Sequence, residues 1–99
     1  MDTITKEKLA KYFDVTGRAL KKVKIKDSGS LCIQPKKVAE DFLDMATRYY
    51  EDAKYFEKKG DIVTAFAALN YAHGWLDAGA RLGVFDVGKD SILFTVDDA

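Results

Sequence analysis

The sequence predicts an all-α fold, an up-down-up three-helix bundle with a C-terminal extended tail packed on helix three. Three observations predict it. Apolar residues recur at i, i+3, i+4 and i+7 through three long segments. One proline is present in 99 residues, so helix-breaking punctuation is sparse. Capping chemistry stands at the segment boundaries, clearest at Lys58-Lys59-Gly60-Asp61. The length fits a single domain spanning 1–99, large enough to bury one core without staples.

The first helix is expected over residues 5–26. Leu9, Tyr12, Phe13, Thr16, Ala19, Leu20 and Val23 form its apolar stripe. Thr3 or Thr5 serves as N-cap, and Lys21, Lys22, Lys24 and Lys26 suit the negative end of the helix dipole. Asp27-Ser28-Gly29-Ser30 is a break, followed by the short apolar run Leu31-Cys32-Ile33. Pro35 fits a first helical position, where its missing N–H costs nothing. The second helix, 36–59, carries the stripe Val38, Ala39, Phe42, Met45, Ala46, Tyr49, Ala53 and Phe56. Gly60 then ends it and Asp61 caps the third, giving a tight antiparallel hairpin.

The third helix, 62–82, is the informative one. Ile62, Ala65, Phe66, Leu69, Ala72, Leu76 and Ala80 cluster on one side. Thr64, Ala67, Ala68, Tyr71, Trp75 and Ala78 occupy the other, which is also apolar or small. Up to Ala80, Asp77 is its only formally charged residue. A helix apolar over most of its circumference needs more cover than two neighbours give. The tail, 84–99, is the expected cover: Phe85, Val87, Ile92, Leu93, Phe94 and Val96 are too apolar to leave in water, and the last four are not helical by pattern.

Bulk chemistry narrows the function classes. The net charge is zero, but residues 1–37 carry ten Lys or Arg against four Asp or Glu, and residues 38–99 carry six against twelve. A neutral domain is a poor nucleic-acid binder, so nucleic acid is not an expected partner. Lys8, Lys11, Arg18 and Lys22 lie roughly on one face of the first helix, while Tyr12 and Phe13 fall on its apolar stripe and are core, not stacking platforms. One cysteine, Cys32, and one histidine, His73, allow no internal disulfide and no zinc site built from Cys and His within one chain. The acidic residues of helix two (Glu40, Asp41, Asp44, Glu51, Asp52) lack the Glu-x-x-His motifs of a di-iron bundle. No metal and no cofactor is expected. No apolar run reaches membrane-spanning length and the N-terminus lacks a signal segment, so the expected location is the cytoplasm, without a membrane partner.

The sharpest polar constellation is Asn70, His73, Asp77 and Arg81, on one ridge of helix three. Asp77 stands one turn from His73, the spacing that lets a carboxylate orient an imidazole and raise its pKa, as general-base work requires. The same spacing is that of ordinary i, i+4 pairs on the wet side of a buried helix, and no nucleophile motif accompanies the ridge. No catalytic residue is therefore assigned, and Asn70, His73 and Asp77 stand only as candidates. Tyr50, Tyr55, Tyr71 and Trp75 lie off the main stripes and are the candidate interaction surface, for the tail or a second copy.

The stretch Tyr49-Tyr50-Glu51-Asp52-Ala53-Lys54-Tyr55-Phe56-Glu57-Lys58-Lys59-Gly60-Asp61, continuing through Ile62 to Ala78, resembles the family of short archaeal proteins catalogued as domain of unknown function 357. Leu93-Phe94-Thr95-Val96 resembles that family's ending. The resemblance implies a compact helical bundle and an archaeal source, and it implies no reaction. Gly60-Asp61 through Ala65, with Tyr71-Ala72, also looks like a tetratricopeptide turn, but one hairpin without a repeat is not an array. The expected function is a small non-catalytic interaction or assembly module, as a homodimer or with a protein partner. The alternatives are a small enzyme or ligand binder on the Asn70/His73/Asp77 ridge and, behind it, a nucleic-acid accessory protein.

Overall fold

The structure, a computed structural model, describes residues 4–25 and 34–86. Three helices pack against one another: α1 (Lys6–Lys22), α2 (Pro35–Lys58) and α3 (Ile62–Leu82). Two short strands, β1 (Lys24–Ile25) and β2 (Phe85–Asp86), join the chain at one end of the bundle.

Thr5 caps α1, its hydroxyl accepting the Lys8 N–H at 3.1 Å. The helix stops at Lys22 instead of continuing to residue 26, because Val23 turns extended (φ −64°, ψ 140°). Lys24 and Ile25 then pair antiparallel with Asp86 and Phe85. The partner strand lies some sixty positions further along the chain, so helical periodicity carries no sign of it. The register sets Lys24 opposite Asp86, a favourable cross-strand pair of charges.

The hairpin forms as the sequence predicts. Pro35 opens α2 at its first turn. At its end Gly60 takes φ 80°, its N–H donates to Glu57 and the Asp61 N–H reaches back to Phe56 at 2.9 Å. This is a Schellman turn, which satisfies carbonyls that the helix end leaves open. Asp61 at once caps α3, accepting the Thr64 N–H at 3.1 Å. Gly83 (φ 84°) repeats the device after α3, with Val84 N–H bonded to Gly79 at 3.0 Å.

The core lies in two groups. One joins Ala19, Ala39, Ala46, Leu76, Val84 and Phe85; the other joins Leu9, Ala53, Ala65, Ala68 and Leu69. Ala39, Ala46 and Ala53 recur every seven residues along α2, all fully buried. Such a repeat keeps one narrow seam facing a neighbour, and small side chains let the axes approach closely. Ala68, assigned by the helical wheel to the outward side of α3, is buried in that core. The start of the tail covers α3 at its C-terminal end: Val84 and Phe85 are buried, and the Phe85 ring lies directly on Gly79, where a Cβ would overlap it. The rest of the expected tail cover, 87–99, lies outside the described residues, as do Cys32 and the Leu31-Cys32-Ile33 run.

Candidate functional site: the groove between α1 and α3

The polar ridge of α3 faces α1. Asn70, His73, Gly74 and Asp77 form one wall of a groove whose other wall is Lys11, Tyr12, Val15 and Thr16. Its volume is about 390 Å³. His73 Nε2 lies 3.7 Å from Asp77 Oδ1, and both side chains are three-quarters buried. Thr16 is buried, and Tyr12 packs its ring on Phe66 with centroids 4.6 Å apart. Lys8 places its ammonium 5.5 Å from the same Phe66 ring.

The sequence ridge is thus a real wall, but its partners on α1 were not legible. Thr16 counted as part of the apolar stripe, and Lys11 as part of a basic face. Which edge of α1 turns to α3 is decided by tertiary packing, and no spacing within either helix reports it. The basic residues of α1 divide between two grooves. Lys11 lines this one, while Arg18 lines the groove between α1 and α2 and pairs with Asp14 at 3.6 Å.

Chemically, the groove offers an imidazole held beside a carboxylate, an ammonium, an amide, a phenol and a hydroxyl. Among the described residues no group of three or more His, Cys, Asp or Glu could hold a metal ion. Two of the acidic residues of α2 take local partners: Asp44 pairs with Arg48 at 2.8 Å and Glu51 with Lys54 at 3.5 Å. The shifted carboxyl group is elsewhere, at Asp61. The Thr64 hydroxyl and then the Thr64 backbone N–H hydrogen-bond it, holding its pKa below the usual carboxylate range.

The four aromatic candidates separate into two pairs. Tyr50 and Trp75 are half-buried and engaged within the bundle. The Tyr50 hydroxyl donates to the Phe13 carbonyl at 3.5 Å, and Trp75 meets Phe42 edge-on with centroids 5.0 Å apart. Tyr55 and Tyr71 are exposed, at 56% and 63%. Tyr71 stacks on Tyr49 of α2 (centroids 5.3 Å, planes 22° apart), and Lys59 lies 5.5 Å above Tyr55. The outward arc of α3 therefore runs through Val63 (68% exposed), Ala67, Tyr71 and Ala78, with α1 on one flank and Tyr49 of α2 on the other.

No helix among the described residues is long and apolar enough to cross a membrane. A family model described as a protein of unknown function (DUF357) matches residues 11–85, which include all three helices from Lys11 onward and the Phe85 that closes the core. No curated protein and no solved structure matches the chain.

Proposed function

The chain belongs to the DUF357 family of proteins of unknown function, and from that premise we propose that it is a non-catalytic interaction module that associates with a second copy of itself through the outward arc of α3. The observation that carries the reading is the arc itself. Val63, Ala67, Tyr71 and Ala78 are exposed on one helix with no charge among them, where a solvated helix face would carry Lys and Glu.

Charge favours a second copy as the occupant. Over Lys6–Lys22, α1 has six Lys or Arg against two Asp or Glu. Over Pro35–Lys58, α2 has six Asp or Glu against five Lys or Arg, and its acidic excess lies in the middle, where residues 38–53 have five against one Arg. A two-fold axis along α3 sets the basic α1 of each copy opposite α2, with its acidic middle, of the other, and each contact then occurs twice. The net charge of zero adds no long-range repulsion.

Sedimentation equilibrium of the full chain tests this. The expected result is a dimer at micromolar concentration that weakens as salt rises and is lost in Ala67→Glu and Ala78→Glu, with helical circular dichroism retained. A full chain that stays monomeric at several hundred micromolar, or a dimer indifferent to both substitutions, overturns the reading.

A further inference from the structure

Three glycines stand inside the helices, at 17, 74 and 79. Glycine in a helix interior costs stability relative to alanine, so each needs a reason. For Gly17 the reason is Tyr50, whose hydroxyl lies 2.7 Å from where a Cβ would stand. For Gly79 it is the Phe85 ring. At Gly74 a Cβ would meet nothing within 4 Å, so no neighbour among the described residues accounts for it. What Gly74 does is line the groove between α1 and α3.

That groove has the size and chemistry of a ligand site. Its volume of about 390 Å³ lies in the range of small-molecule pockets, roughly 300–1,000 Å³. Lys11, Asn70, Tyr12, Thr16 and His73, all with N–H or O–H groups on their side chains, are among its lining residues. Asp77 is the sole acidic side chain among the lining residues, and the His73 imidazole stands against it at 3.7 Å. A cleft with so many donors suits a molecule rich in acceptors, and Lys11, on the wall opposite Asp77, is the charged group that an anionic head can meet. Val15, the Tyr12 ring and the bare backbone at Gly74 give an apolar body somewhere to lie.

We propose that this groove binds a small organic anion, a carboxylate or a phosphate monoester, with Lys11 taking the charged group and Gly74 making room for the body. The site adjoins the self-association face argued above: Gly74 falls on the exposed stripe of Ala67, Tyr71 and Ala78, while Lys11, Tyr12 and Thr16 set the rest of the groove on the α1 side of α3. Its test reads ligand binding and not the oligomeric state.

The experiment is a titration of the full-length protein followed by amide proton–nitrogen correlation spectra, with benzoate and phenyl phosphate as probes. Benzamidine and benzyl alcohol serve as cationic and neutral controls of the same body. Benzoate or phenyl phosphate is expected to move the signals of Lys11, Tyr12, Asn70, His73 and Gly74 at millimolar concentration, and the tighter of the two names the head group. Gly74→Leu and Lys11→Glu should each weaken binding at least tenfold. Arg18→Glu, a charge reversal in the other groove, should leave it unchanged. A Cβ at Gly74 meets no described atom within 4 Å and the position is exposed, so the melting temperature of Gly74→Leu should hold or rise, which separates lost binding from lost fold. The inference is overturned if neither anion moves those signals, if the controls move them equally, or if Gly74→Leu binds as the parent does.

Discussion

Along the seam with α2, α3 buries Ala65, Ala68, Leu69 and Leu76 together with the sevenfold-spaced Ala39, Ala46 and Ala53. Along the side that faces α1, it presents Phe66, Asn70, His73 and Asp77 to Lys11, Tyr12 and Thr16. One helix thus meets α2 through small apolar groups, and meets α1 through an apolar base, Leu9 and Ala19 against Leu69 and Leu76, with a polar groove at its edge. Small groups let the backbones close up and exclude water. Long polar groups each keep a claim on a hydrogen-bond partner, and they leave a groove where the seam leaves none. The seam is where stability should concentrate, and the groove is where substitution should be tolerated.

The largest effect that would break this comparison is at the seam. Leu76 is fully buried between the alanines of α2 and the Phe85 that closes the end of the bundle. Leu76→Ala should cost about 2–5 kcal/mol, the range for opening a cavity in a packed core. Overpacking the same seam with Ala46→Leu should cost about 1–3 kcal/mol, since the extra methylenes have no void to enter. Urea unfolding followed by circular dichroism measures both. If either variant stays within about 0.5 kcal/mol of the parent, which is ordinary for a surface change, the seam is not the tight contact described here.

A substitution in the groove should move the other way. Gly74 sits in mid-helix, and no described residue stands within 4 Å of where its Cβ would be. Gly74→Ala should stabilise the protein by about 0.5–1 kcal/mol through helix propensity and the restricted unfolded chain. Gly79→Ala, one turn and a residue further on, should destabilise it, because the Phe85 ring occupies the place of the new methyl. The opposite signs of these two Gly→Ala changes on one helix sharpen the comparison, and equal signs would remove it.

The sequence made the hairpin legible and the α2 side of the seam with it, but misplaced Ala68 of α3 and left the groove half legible, for a physical reason. Caps at Thr5, Asp61, Gly60 and Gly83 act within a few residues, so their spacing is written locally. The alanine repeat of α2 is equally local. The β1–β2 pairing joins Ile25 to Phe85, and local pattern extended α1 four residues too far. Likewise the ridge Asn70, His73 and Asp77 could be read from one helix, whereas Lys11, Tyr12 and Thr16 join it only through the rotation of α1 about its axis. Trp75 and Tyr50 stand off their helices' main stripes and still pack inward, because neighbours approach from more than one direction.

The smallest effect lies away from both contacts, at the N-terminus of α3. Asp61 caps that helix with a carboxylate held by Thr64, and its pKa is lowered in the folded protein. A carboxyl with a depressed folded pKa contributes stability that is fully present above its unfolded pKa, about 4 for Asp, and is lost as pH falls through the lower folded value. Asn caps a helix about as well as Asp but carries no charge. The full chain should therefore melt slightly higher than Asp61→Asn at neutral pH, where the carboxylate also meets the positive end of the α3 dipole. The gap should close as both proteins are taken below about pH 4, because the protonated acid and the amide then offer the helix a similar neutral cap. Paired thermal melts at pH 7 and pH 3 measure it. A gap that persists unchanged in acid would mean that the shape of the Asp61 side chain stabilises α3 and its charge does not.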